Sequence, residues 1–161
     1  SAASDVYKRQ EQETTILYID LDNFKYCNDT FGHDIGDLML KKLSSLFTEI
    51  VGDKGYCVRY GGDEFIIVLP GSSTEFGIKI SKQIYKKIEE NGYFINDIAN
   101  ALKRPIEIDA QHRISCSIGI STSQKYNQES IMECLKHADS ALYDIKKGTK
   151  HDFKVWQKVQ K

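Results

Sequence analysis

Residues 59–65 read Arg59-Tyr60-Gly61-Gly62-Asp63-Glu64-Phe65. Upstream, Tyr56 to Tyr60 carries the residues of a short strand; downstream, Phe65-Ile66-Ile67-Val68-Leu69 is a β-rich run closed by Pro70. Two glycines between two such runs are hairpin-turn chemistry. Glycine accepts positive φ at little steric cost and lets a ligand or other backbone come close. Two adjacent carboxylates at the tip are more than a turn requires. By itself the spacing fits a solvated acidic turn; a second acidic group upstream, Asp20-Leu21-Asp22, opens a functional reading.

Outward from the hairpin, the pattern alternates strands and helices. Thr14 to Asp20 is a nearly continuous apolar run, as in a sheet interior. Asp22 is placed to cap a short helix through Thr30 that Gly32 breaks, and Gly36 to Ile50 follows as a helix with Leu38, Leu40, Leu43, Leu46 and Phe47 on one face. Thr74 to Glu90 is amphipathic through Ile80, Ile84 and Ile88, and Ile95 to Leu102 adds a further helical turn or two. Pro105 to Ile108 reads as a short edge strand, because proline cannot donate to a central ladder. Ile114, Cys116, Ile118 and Ile120 alternate as in a half-buried strand. Glu129 to Lys147 is helical and Phe153 to Trp156 a final strand. The fold class expected is an α/β (α+β) sandwich, with a mainly antiparallel central sheet covered by helices. In that order the first strand lies beside the hairpin, bringing Asp20 close to Asp63 and Glu64.

The chain of 161 residues suits one domain with a genuine core. Its 22 Lys+Arg against 23 Asp+Glu leave a net charge of -1, so no global basic field draws nucleic acid or an anionic membrane. No apolar run reaches membrane-spanning length and no secretory signal is recognisable in these residues. Cys27, Cys57, Cys116 and Cys134 are widely spaced and read as reduced thiols of a cytoplasmic protein. The histidines form no zinc pattern. Asp5 to Gln10 back-translates to a sequence resembling a transposon end used in preparing sequencing libraries. Residues 1–10 are therefore read as a non-native, adapter-derived segment, and residues 11–161 as a domain cut near Glu11.

Asp20, Asp63 and Glu64 brought together would repel. At an effective dielectric near 20, a pair about 4 Å apart costs roughly 4 kcal/mol. No lysine or arginine stands at the acidic tip itself, although Arg59 is nearby. A hard divalent cation relieves the repulsion, and an all-oxygen set suits Mg²⁺ or Mn²⁺ over zinc. The bland alternative is that Asp20 and Asp22 end a strand and cap a helix.

The run Asp20-Leu21-Asp22-Asn23-Phe24-Lys25-x-x-Asn28-Asp29-x-x-Gly32-His33-x-x-Gly36-Asp37, joined to Gly61 to Phe65, strongly resembles the GGDEF domain of the diguanylate cyclase family. Ser117-Ile118-Gly119 and Ala138-Asp139-x-Ala141-Leu142-Tyr143 fit as a third block, and the resemblance runs from about Thr14 to Lys150. It implies a nucleotidyl cyclase or polymerase-palm type of fold and a cytoplasmic transferase of bacterial signalling. Such an enzyme condenses two GTP molecules into cyclic di-GMP and pyrophosphate, with two Mg²⁺ (or Mn²⁺) per active site and a homodimer to complete it. The resemblance makes Asp20, Asp63 and the Leu21 carbonyl metal ligands, and Asp63 or Glu64 the proton acceptor. Asn28 and Asp37 read guanine: a carboxylate accepts from N–H groups on the base edge that adenine lacks. The backbone at Asn23 and Phe24, with Lys25, holds terminal phosphates at a helix start. Lys146 and Lys150, at i and i+4, clamp the triphosphate if the helix continues that far. His33 either touches substrate or packs, and Gly61 and Gly62 leave room for the nucleotide.

Three positions depart from the family pattern. The Asp-x-Leu-Thr-x-Leu-x-Asn-Arg lead-in is absent, in line with a cut near Glu11. Gly52 and Gly55 stand where Arg-x-x-Asp of a product-inhibition site should be, so no such allosteric site is expected. The last basic motif has its glycine, Gly148, one place early, which leaves Lys150 the least secure assignment. A second reading is a GTP-binding regulator of an adjoining EAL-type phosphodiesterase, since Leu102-x-x-Pro105-x-x-Ile108 resembles the version found in tandem proteins. In either case a membrane would be met only through domains preceding this one. A non-enzymatic scaffold is a third reading, which the complete acidic turn speaks against.

Overall fold

The computed structural model describes residues 1–4 and 12–159. The segment read as adapter-derived lies largely outside them. Strand β1 (Thr14–Asp22) leads to helices α1 (Phe24–Phe31) and α2 (His33–Val51), then to the hairpin of β2 (Tyr56–Arg59) and β3 (Glu64–Pro70). Helices α3 (Thr74–Glu90) and α4 (Ile95–Leu102) follow, then β4 (Ser115–Ser123), α5 (Gln128–Lys147) and β5 (Phe153–Val155). The sheet order is β2-β3-β1-β4-β5. Every pairing is antiparallel except β4 with β5, so the mainly antiparallel sheet expected from the sequence is found.

The continuous apolar run of β1 is explained by its central place. Leu17, Ile19 and Leu21 pack with Met39, Leu43 and Phe47 of α2 and Ile80, Ile84 and Ile88 of α3. Ile16 and Tyr18 point the other way, onto Cys134, Ala138 and Leu142 of α5. The sheet is thus sandwiched, and β1 has no face left for water.

Four details correct the sequence reading. β4 is buried on both faces from Ser115 to Ser121; its small residues lie under α5 and are not exposed. Pro105 to Ile108 joins no ladder: Ile108 is buried and Ile106 packs against the core, but the backbone there is irregular. α2 begins at His33, because Gly32, at φ 92, ends α1 and opens α2 in one step. Asp22 caps nothing: Asn23, in left-handed backbone at φ 64, is the N-cap of α1, without a side-chain bond. All four cysteines are free thiols. Among the described residues no helix is long and apolar enough to cross a membrane.

Candidate active site

The site forms where β1 ends beside the β2–β3 turn. Asp20 pairs with Glu64 across the ladder, and one residue further the Leu21 N–H donates to the Asp63 carbonyl at 3.0 Å. Residues paired directly across two strands share a face, so the Asp20 and Glu64 side chains both stand on the α5 side. The turn is closed by Tyr60 N–H donating to the Glu64 carbonyl at 2.9 Å. Neither Gly61 nor Gly62 takes positive φ. Their use lies in space: a Cβ on Gly61 would meet Glu64 Oε2 at 3.0 Å, while nothing lies within 4 Å of one on Gly62. Arg59, which the sequence placed only nearby, holds the turn by donating from Nε to the Gly61 carbonyl at 3.1 Å and from a terminal nitrogen to the Gly62 carbonyl at 2.8 Å.

A cation stands beside Asp20, brought there by the end of α5. Lys146, in the last turn of α5, places its ammonium 3.0 Å from Asp20 Oδ1 and 2.9 Å from Asp22 Oδ1, and donates to the Leu21 carbonyl at 3.2 Å. Burial raises the Asp20 carboxyl above its usual range; Lys146 opposes that rise, and Asp63 and Glu64 add to it. Burial alone would lower the Lys146 ammonium, but Asp22 and Asp20 hold it above its usual value. Burial, with Glu64 beside it, likewise raises the Tyr18 hydroxyl.

The oxygens at this corner that the resemblance would give to a metal are those of Asp20, Asp63 and the Leu21 carbonyl, with Glu64 adjoining. Among the described residues no three His, Cys, Asp or Glu side chains are gathered closely enough to hold a metal ion. The oxygens of Asp20 and Leu21 nevertheless already face one cationic group, the Lys146 ammonium. All-oxygen donors of this kind fit a hard divalent cation.

The remaining expected residues divide into two groups. Asn28 lies against the backbone of Gly36 (a Cβ there would fall 1.8 Å from its Oδ1), which places it beside Asp37 at the α1–α2 corner. Asp37 and His33 are exposed on the first turns of α2. Asn23 turns its amide away from the site and donates to the carbonyls of Gln111 at 2.9 Å and Arg113 at 2.7 Å. Phe24 is the first residue of α1, whose start has no side-chain cap. Lys25 is exposed and paired with Asp29. Lys150 does not share a helix face with Lys146: α5 ends at Lys147, and Lys150 sits beyond Gly148 in left-handed backbone at φ 49. Asp22, Ser117 and His151 were missed. Asp22 and Ser117 stand in the quoted motifs without a role, and nothing in the sequence brings His151 to them.

A family model described as diguanylate cyclase, GGDEF domain, matches residues 1–152. A diguanylate cyclase of Vibrio cholerae is 34% identical over 141 residues, covering 88% of this chain and 39% of that protein. The chain therefore spans well under half the length of that relative. Among solved structures, the active GGEEF domain of a diguanylate cyclase from Vibrio cholerae superposes with a TM-score of 0.71 at 29% identity, covering 98% of this chain and 92% of that one. An EAL/GGDEF domain protein from M. capsulatus gives a TM-score of 0.67 at 30% identity, with 93% and 88% covered.

Proposed function

This chain belongs to the GGDEF family of diguanylate cyclase domains, and from that premise we propose that it condenses two GTP molecules into cyclic di-GMP and two pyrophosphates. One observation carries the proposal. The ladder that pairs Asp20 with Glu64, and the Leu21 N–H bond to the Asp63 carbonyl, bring the backbone of Asp20, Asp63 and Glu64 together at one end of the sheet.

Asp20, Asp63 and the Leu21 carbonyl would hold the Mg²⁺ or Mn²⁺ ions, two per active site. When bound, these ions neutralise phosphate charge and favour ionisation of the ribose 3′-hydroxyl. The residues of the chain do the rest. Asp63 or Glu64 accepts the proton of the 3′-hydroxyl as its oxygen bonds to the α-phosphorus of the other GTP and the bond to pyrophosphate breaks. Asn28, which lies against Gly36, and Asp37, the next residue along α2, take the guanine edge. The uncapped start of α1 leaves backbone N–H groups for the terminal phosphates. Lys146 carries the positive charge for the triphosphate. One domain holds one GTP, so two copies face each other to close the ring, and a second 3′-attack of the same kind completes the product.

The test is to give the intact natural protein GTP and Mg²⁺ and to look for cyclic di-GMP by mass spectrometry. Asp63→Ala is expected to lower the product rate by roughly a hundredfold or more, the scale on which losing one electrostatic stabiliser acts. Equal product from Asp63→Ala overturns the site assignment. Nucleotide binding without product would favour the regulatory reading in which this domain senses GTP for an adjoining phosphodiesterase.

A further inference from the structure

Asp22 belongs to the motif but is given no role among the site residues, yet it is the one charged residue among the described residues that is buried. Its side chain is 0% exposed, against 22% for Asp20 and 27% for Lys146. An ionised carboxylate cannot stay buried unless its oxygens are satisfied, and here each is. Ser117 Oγ lies 3.0 Å from Oδ1 and 2.9 Å from Oδ2. Lys146 Nζ donates to Oδ1 at 2.9 Å, the His151 backbone N–H donates to Oδ2 at 3.2 Å, and His151 Nδ1 stands 3.3 Å from the same oxygen. A carboxylate offers about four lone-pair sites. Ser117, Lys146 and the His151 N–H supply three donors, at least one to each oxygen, and the side chain has no exposed surface.

The contacts join three separate pieces of the site. Ser117 comes from β4, Lys146 from the last turn of α5, and His151 from the turn beyond it. That turn is costly by itself: Lys150 and His151 follow one another in left-handed backbone at φ 49 and φ 50, and neither is glycine. Two contacts from His151 to a buried carboxylate give it a reason to persist. Lys146 is held from the Asp22 side while its ammonium still touches Asp20 and the Leu21 carbonyl.

We propose that Asp22 is a positioning residue. It presets the Lys146 ammonium over the Asp20–Leu21 oxygens and pins the Lys150–His151 turn, so that the basic side of the triphosphate site exists before nucleotide arrives. The proposal rests on the cyclase reading, in which Lys146 meets the triphosphate.

A double-mutant cycle tests it, with Asp22→Asn, Lys146→Met and the pair made in this chain. The readouts are affinity for a non-hydrolysable GTP analogue with Mg²⁺, and the nitrogen NMR signal of the Lys146 ammonium without nucleotide. Asp22→Asn is expected to weaken analogue binding about tenfold or more, the usual effect of removing an outer-shell partner, and to add much less once Lys146 is methionine, when only the pinning of the Lys150–His151 turn is left to lose. The Lys146 signal should be protected from exchange in the unsubstituted chain and become that of a mobile lysine in Asp22→Asn. Losses that multiply, or a Lys146 signal already mobile in the unsubstituted chain, overturn the proposal. A merely structural Asp22 would lower the unfolding midpoint while its effect on binding stayed independent of Lys146. If Asp22→Asn does not fold, Ser117→Ala, which removes only the hydroxyl held by Asp22, carries the cycle. A smaller loss that vanishes with Lys146→Met supports the proposal, and no loss defeats it. Analogue binding with additive losses removes the positioning role alone; no binding by the unsubstituted chain removes the nucleotide reading and the proposal with it.

Discussion

On the proposed reading of guanine by Asn28, Gly36 serves recognition without touching the ligand. A Cβ at this position would fall 1.8 Å from Asn28 Oδ1 and 2.8 Å from its Cγ. The obstruction is a side chain, so the fold can absorb it by turning the Asn28 amide aside. Alanine also favours the helix by up to about 1 kcal/mol over glycine. Gly36→Ala is therefore expected to melt at the same temperature or slightly above. Its affinity for GTP should fall by about 1–3 kcal/mol, the cost of leaving one buried polar partner unmet, and its preference for GTP over ATP should shrink with it. Thermal unfolding and paired GTP and ATP titrations measure both; a large drop in melting temperature would show that Gly36 serves packing alone. The sequence marked Gly36 and Asn28 as motif members, but their contact arises from the corner between two helices. Asp22 was still less legible. An acid two residues after Asp20 looks like a cap, and it is Ser117, Lys146 and His151, brought in from far along the chain, that surround it.

Among the elements, α5 matters most, because it brings Lys146 to the acids. It lies on β4 at Gly119, where a Cβ would meet the Ala138 carbonyl oxygen at 1.9 Å and the Leu142 nitrogen at 2.6 Å. Both atoms are backbone, so nothing can rotate away and the helix itself must shift. Gly119→Ala is expected to cost about 1–3 kcal/mol or more, the range for overpacking a tight interface. It should also weaken nucleotide binding, since Lys146 rides on the displaced helix. A urea midpoint that falls without a change in slope is the expected signature; an unchanged midpoint would mean that the α5–β4 contact is looser than it stands. The elements themselves were largely readable. The run of β1, the four-residue spacing in α3 and the alternation in β4 each point to the right kind of element. Pro105 to Ile108 was misread because its isoleucines anchor an irregular segment, and a two-residue apolar pattern does not reveal whether a ladder partner is present. The small residues of β4 were taken for a solvated face, when they are small because α5 lies close.

At the scale of the whole molecule, burial of groups that lose a proton in alkali fixes how stability changes with pH. Burial pushes the Cys27 and Cys57 thiols from 9.0 up to about 11, and raises those of Cys116 and Cys134 as well. Burial also raises the Tyr85 hydroxyl, which donates to the Cys116 carbonyl at 3.0 Å. Each of these groups holds its proton more tightly in the folded chain than in the unfolded one. Their contribution is fully present below the unfolded thiol value, about 8.5, and is lost as pH rises through the folded values. Lys146 acts in the same direction at higher pH, since its raised value means that deprotonation breaks the pairs with Asp22 and Asp20. Asp20 acts in the same direction from the acid side: its raised carboxyl contributes stability that is lost as pH rises through its folded value. The free energy of unfolding is thus expected to fall steadily between about pH 8.5 and 11. Urea unfolding in reductant at pH 7, 9 and 10.5 measures it, and a flat profile would show that the thiols are less enclosed than the packing of β1, β4 and α5 makes them. The same enclosure predicts slow reaction of Cys27, Cys116 and Cys134 with a thiol reagent at pH 8, because the thiolate is the reactive form and unfolding must come first.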